Sequence, residues 1–537
     1  MMIKLYGKKY FQEDIIMKKA LSVILSILML ASVTVFAVSA VDYEHPFDAI
    51  DSETFRIPAL YTLNDGSVIA GVDIRYGHGS DSPNNIDVAV AISADGYTGW
   101  EYNVINYFDD YADGETGTDS ASYIDSAIVQ SKETNRIFVL ADIYPSGGGW
   151  KPSGAHTGFV NVDGEKCLLL TDGDYAGDIS TFNYYLKNGV VYNKADNTAT
   201  EYTVDEEFRL SKNGVALKMD QKGSEGVEVQ QNVFYKDAEL SCYLTSYLCI
   251  RYSDDNGASW SAPQLVSSQI KQNGETFIGA APGRGTVINY NGTERIIFCV
   301  YDNTAGAIGA HDPIFENAST IYSDDNGVTW CRGDETSVML GLLKTSEAQI
   351  VEVATQENGN PVLRMYARNN SNYIAYADSY DGGISWSTFV RDEALQGTKN
   401  CMYSFINTSK VIDGKRVILS SAGGNLDSRA DGVLRVGLID DSDINNITVE
   451  WITKYNLTPG FFAYSCLTEL SDGNFGYLYE DEAAHIEYMI FSVDEEGKIS
   501  EINGNNYEGK VKLTFWQKFV KFFKDLFNNF LAFFGMM

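Results

Sequence analysis

Between Phe55 and Asp81 the chain reads FRIPALYTLNDGSVIAGVDIRYGHGSD, two arginines (Arg56 and Arg75) followed by an acid, Asp81. A guanidinium is a planar fork that can pair bidentately with a carboxylate, which lysine cannot do. Two guanidiniums brought together repel unless an anion lies between or beside them. The local pattern does bring them together. Phe55-Arg56-Ile57-Pro58 reads as the start of a strand, because Pro is tolerated at strand ends and edges. Asn64-Asp65-Gly66 is a turn signal, and the following Ser67–Val72 run is β-rich. Arg56 and Arg75 therefore fall near adjacent ends of one hairpin, with Asp81 just beyond. The chemistry such a group could do is capture of an anion beside an acidic loop residue.

The elements that must hold this group are strands. The chain has 34 Tyr, 27 Phe and 48 Gly, and its short β-branched runs are separated by Asp/Asn/Gly turns. That composition predicts an all-β fold. An internal repeat, S-x-D-x-G-x-[ST]-W, occurs at Ser253–Trp260, Ser323–Trp330 and Ser379–Trp386, with a degenerate copy at Ser93–Trp100 whose glycine is displaced. The Asp can accept backbone N–H bonds within the turn, Gly takes a positive φ, and Trp packs beneath the hairpin. The box lacks the length and distal Glu of an EF-hand loop, so it reads as structure rather than as a calcium site. Strand runs such as Tyr247–Tyr252 before each box imply radially repeated sheets, a β-propeller.

The expected organisation has propeller parts at 41–162 and 244–505, with a small β domain inserted at 163–243, where the boxes stop. Residues 511–537 are expected to form an amphipathic helix whose wide aromatic face, Phe515 to Phe534, is broken by Lys518, Lys521, Lys524 and Asp525. It carries too many charges for a comfortable membrane span. Docking on the protein is one reading; the width of the face favours a membrane-surface or partner contact.

Residues 1–40 read as an N-terminal extension and signal peptide. Met17 is the expected initiator, Lys18 and Lys19 a basic start, Ala20–Ala37 an apolar core and Val38-Ser39-Ala40 a cleavage site. The mature chain is therefore expected to be secreted or cell-surface associated. Its seven cysteines lack CxxC spacing and its five histidines lack an HExxH pair, so neither a disulfide framework nor a transition-metal site is indicated. No cofactor is expected, and a structural calcium ion is left open without being indicated. The formal charge of -33 excludes a nucleic-acid partner, which needs a basic face. It permits a small anionic ligand, because charges beyond about 8 Å are largely screened.

The FRIP start, the second arginine and the repeated Asp boxes together resemble bacterial exo-sialidases (neuraminidases) of glycoside hydrolase family 33. The resemblance implies a six-bladed propeller and, residue by residue, a site. Arg56, Arg368 (in MYARN) and Arg429 (in SRADG) match three arginines that clamp a substrate carboxylate. Arg75 matches a further arginine of the pocket rim. Asp81 matches the general acid/base, Tyr464 (in AYSC) the nucleophile and Glu347 (in SEAQ) its partner. Glu480, ending GYLYE, matches the acid that holds the first arginine. Asp125, in YID, resembles a contact to a substrate hydroxyl.

The implied function is a secreted exo-α-sialidase, expected as a monomer, hydrolysing terminal sialic acids from glycans, glycoproteins or glycolipids with retention. Two alternatives stand beside it: an intramolecular trans-sialidase that releases an anhydro-sialic acid, and an inactive sialic-acid-binding propeller. The pocket-rim aromatics separate the first two, with candidates in the insert and near Tyr301.

Overall fold

The computed structural model describes residues 44–47 and 54–502, apart from 114, 151–153, 305–315, 340, 341, 343, 458, 483 and 484. The expected signal peptide and the C-terminal helix lie outside the described residues. Six sheets follow one another along the chain, antiparallel except where the short strand Gly283–Arg284 joins Ser122–Gln130 in parallel. The first runs through Phe55–Thr62, Val68–Arg75, Ile86–Ser93 and Glu101–Asn106, from the inside out. The innermost strands of the next five are Ser122–Gln130, Glu275–Ala280, Thr345–Thr355, Ser404–Ile412 and Ser465–Glu469. Consecutive strands stepping outward are the blades of a propeller. The fold is a six-bladed β-propeller.

Burial follows the same radial order. Val68–Arg75 is buried at every position, whereas the outermost strand Thr448–Asn456 alternates exposed and half-buried residues. A strand covered on both faces reads as a continuous apolar run, and a half-covered one alternates. The ring closes where the first blade meets the sixth. There the Thr62 amide donates to Thr468 Oγ1 at 3.0 Å, and Cys466 Sγ lies 3.5 Å from the Leu60 carbonyl.

The Asp boxes join the third and fourth strands of their blades. In the second blade Asp255 Oδ1 accepts from the Ser259 amide at 2.8 Å and from Ser253 Oγ at 2.8 Å. Asp325 and Asp381 repeat this network in the third and fourth blades. The degenerate copy also closes, with Asp95 accepting from the amides of Tyr97 and Thr98. Each box also touches the preceding blade. A Cβ on Gly257 would meet Ile92, and one on Gly327 would meet Phe138, so the positive-φ glycine doubles as the point of close approach.

The second blade is interrupted between Ile137–Tyr144 and Tyr247–Ser253. The intervening segment forms an eight-stranded sheet, from Phe159–Val162 to Ser241–Cys242, and a hairpin of Lys218–Asp220 with Glu228–Gln230. Its first strand starts at Phe159, a few residues before the expected boundary. An aromatic chain of Phe108, Phe234 and Tyr247 packs the insert against its blade, with ring centroids 5.8 and 5.6 Å apart.

Candidate active site

The inner strands of several blades point their first residues at one end of the ring, and the expected residues converge there. Arg56 lies opposite Asp73 in the first hairpin, at a slip of register between Arg56 and Ala59. The slip turns Ile57 to a φ of 59°, a conformation that β-branched residues rarely adopt. Glu480 holds this turn. Its Oε1 accepts from Arg56 Nε at 3.1 Å and from the Ile57 amide at 3.0 Å. Its Oε2 accepts from Arg56 Nη2 and the Tyr464 amide, both at 3.4 Å. One buried carboxylate from the sixth blade thus sets both the first arginine and the backbone at Tyr464.

Tyr464 Oη donates to Glu347 Oε1 at 2.6 Å and accepts from Arg368 Nη1 at 2.8 Å. Arg368 Nη1 also reaches Glu347 Oε2 at 2.7 Å. The guanidinium carbons of Arg56 and Arg429 lie 5.5 and 5.4 Å from the centre of the Tyr464 ring. Burial pushes the Tyr464 phenol well above its ordinary value, and the Glu347 charge adds to this against Arg368 and Arg429. The phenol therefore keeps its proton until an adjacent base takes it.

Asp81 sits on the loop above, its side chain 71% exposed. Its Oδ1 lies 2.6 Å from Arg75 Nη1 and 3.5 Å from Arg56 Nη1, so it is an anion placed between the two arginines of the hairpin. Desolvation in the cleft raises its carboxyl, but Arg75, Arg56 and Arg429 outweigh this and leave it below the usual range. Arg75 departs from its expected place at the rim. Its side chain is fully buried, bonded to Asp81, to the Gly79 carbonyl at 2.9 Å and to Asp73 at 2.8 Å. The cause is strand alternation, which puts Arg75 and Asp73 on one inward face.

These groups open on a cavity of about 280 Å³ lined by Arg56, Asp81, Asp125, Glu347, Arg368, Arg429 and Tyr464. Asp125 has a φ of 63°, and its amide donates to Asp73 Oδ1 at 3.1 Å. Burial pushes its carboxyl well above the usual range, with Asp73, Asp142 and Glu347 adding to the effect. A protonated carboxyl there can donate a hydrogen bond to a ligand oxygen.

Other lining residues escaped the sequence reading. Tyr144, Trp150 and Phe277 join Tyr301 in an aromatic wall, and Glu316 pairs with Lys344 at 3.2 Å. Trp150 lies nine residues before the first strand of the insert, which was a positional signal. Tyr144 and Phe277 carried none among so many packing aromatics. Among the described residues, Asp481, His485 and Glu487 bring metal-type ligand atoms within 4.8 Å of one another, away from this cavity's lining.

The repeat region matches the BNR repeat-like domain over residues 224–475. The intramolecular trans-sialidase from Ruminococcus gnavus superposes with a TM-score of 0.74 at 34% identity, covering 85% of this chain and 98% of that one. The chain belongs to the sialidase family. A leech intramolecular trans-sialidase complexed with 2,7-anhydro-Neu5Ac also gives a TM-score of 0.74, at 33% identity over 85% of this chain and 71% of that one. The anhydrosialidase of Macrobdella decora is 36% identical over 81% of this chain, and sialidase B of Streptococcus pneumoniae 31% over 82%. This sialidase-family chain spans 58% and 65% of those two relatives' lengths.

Proposed function

We propose that this chain cleaves terminal α-linked sialic acid from glycoconjugates, with Tyr464 as nucleophile and net retention. The observation that carries the reading is the 2.6 Å bond from Tyr464 to Glu347 on the floor of an arginine-lined cavity. A sialoside bears a carboxylate on its anomeric carbon, so a carboxylate nucleophile would approach against that charge. A phenol avoids the repulsion, and sialidases are the known tyrosine exception among two-carboxylate glycosidases. Arg56, Arg368 and Arg429 hold the substrate carboxylate and orient the ring. Glu347 takes the phenolic proton as Tyr464 attacks, while Asp81 gives its proton to the leaving oxygen. Asp81 is then the base that activates the group resolving the tyrosyl intermediate.

The depressed Asp81 carboxyl fits this role once substrate is considered. A bound carboxylate neutralises Arg56 and Arg429, two of the charges that hold the Asp81 carboxyl down. Binding therefore raises Asp81 toward the protonated form that a general acid needs.

A second reading concerns the resolving step, in which the sugar's own hydroxyl replaces water and an anhydro sugar leaves. The aromatic wall supports it, since Phe277 and Tyr301 pack with centroids 5.0 Å apart and offer water few partners. The names of the leech and Ruminococcus gnavus relatives point the same way. Product analysis by NMR after incubating residues 41–537 with α2,3-sialyllactose tests both. Free sialic acid appearing first as the α anomer means a retaining hydrolase, and an anhydro sugar means intramolecular transfer. Bound ligand without product makes the propeller a sialic-acid-binding module and removes the roles given to Asp81, Glu347 and Tyr464.

A further inference from the structure

We infer that Asp73 is a positioning residue that sets the acid/base Asp81 and, through the same carboxylate, the backbone at Asp125; the inference rests on the reading of Asp81 given above. Asp73 is fully buried and does not line the cavity, so it acts through other groups. Its Oδ2 accepts from Arg75 Nη2 at 2.8 Å, and its Oδ1 accepts from the Asp125 amide at 3.1 Å. Arg75 Nη1 in turn donates to Asp81 Oδ1 at 2.6 Å. A single buried guanidinium is thus shared between a hidden carboxylate and an exposed one.

The sharing matters because a desolvated cation needs a counter-charge. With Asp73 present, Arg75 is already paired, and Asp81 can release or accept a proton without leaving a bare cation behind. With Asp73 gone, Asp81 becomes the main counter-ion of Arg75 and is held as carboxylate. The groups facing Asp81 from elsewhere are cationic Arg56 and Arg429, with Asp125 and Tyr144 coupled to it more weakly.

The same construction occurs at Glu480, which lends independent weight. Each acid holds one guanidinium and one amide of a non-glycine residue in the left-handed region, Ile57 at 59° and Asp125 at 63°. Each such residue sits at a register slip, between Arg56 and Ala59 or between Ile124 and Ala127. Strained residues persist where the surroundings over-determine them, and these two carboxylates supply that restraint.

The test compares wild type, Asp81→Ala and Asp73→Asn on two substrates. One is α2,3-sialyllactose, whose sugar leaving group needs a proton; the other is a 4-nitrophenyl sialoside, whose leaving group does not. Asp81→Ala should lose about 100-fold or more in kcat on sialyllactose and far less on the aryl substrate. Asp73→Asn should show the same bias, roughly 10-fold on sialyllactose, with KM little changed and the basic limb of the kcat profile moved to lower pH. Asp73→Glu, which restores a carboxylate, should recover part of the loss on sialyllactose. Equal losses on both substrates with an unmoved pH profile would make Asp73 a structural residue and overturn the inference alone. No leaving-group bias in Asp81→Ala would overturn the acid/base reading and this inference with it. Should Asp73→Asn fail to fold, Asp73→Ser carries the same comparison: a loss biased toward sialyllactose supports the inference, and equal losses or wild-type behaviour on both substrates overturn it.

Discussion

A phenol that attacks a sugar must be both protonated at rest and able to lose its proton on demand. Tyr464 meets the first need by burial and the second through Glu347, which its Oη already contacts at 2.6 Å. Tyr464→Phe removes the nucleophile and leaves the ring beneath Arg56 and Arg429. Turnover should fall by at least about 1,000-fold, while sialic acid binding, followed by calorimetry, stays within a few-fold of wild type. Turnover comparable to wild type would sink the nucleophile assignment. At this scale the sequence was readable wherever a residue sat in its own local motif, as Arg56, Glu347 and Tyr464 do. It was less readable where a role depends on burial. Arg75 could be found from its motif, but its depth could not, because the partner that draws it inward, Asp73, looked like any other strand acid.

At the scale of the element, the Asp box is a turn whose side chains replace a ladder. Asp381 accepts from Ser379 Oγ at 2.9 Å and from the Ser385 and Ile384 amides at 2.9 and 3.2 Å. Asp381→Ala leaves these donors without their acceptor and should cost about 1–3 kcal/mol, read as a lower urea midpoint with an unchanged slope. A midpoint equal to wild type would mean that the box is dispensable for stability. The boxes were legible because their logic is local: Ser, Asp, Gly and Trp each act within one turn. The left-handed Ile57 was not legible, since β-branched residues argue for an ordinary strand and the exception is imposed by Glu480 from the far end of the chain. The blade count likewise came from resemblance rather than from the boxes, because the fifth and sixth blades have no complete copy of the motif.

For the whole molecule, the vulnerable place in a closed ring is the seam between its first and last blades. Residues 44–47 lie across it. The Glu44 amide donates to the Tyr97 carbonyl of the first blade at 2.7 Å, and Phe47 stacks on Phe55 at 6.2 Å. His45 reaches the sixth blade, its Nε2 lying 2.9 Å from the Ile486 carbonyl, while its Nδ1 accepts from the Phe47 amide at 3.2 Å. An imidazole donating from one nitrogen and accepting at the other is neutral. Desolvation lowers its pKa from 6.5 to about 4, with His485 lowering it further against the Ile486 carbonyl and Asp481. The sign follows: below 6.5 the unfolded chain takes up a proton that the folded seam refuses, so stability falls as the pH drops from 6.5 toward 4. The loss across that window is on the order of 2–3 kcal/mol. His45→Gln keeps a donor for Ile486 and removes the titration. Urea unfolding at neutral pH and near pH 4.5 should show a smaller acid-induced loss in His45→Gln than in wild type. Equal losses in the two proteins would place the acid sensitivity elsewhere and leave the seam without a titrating clip.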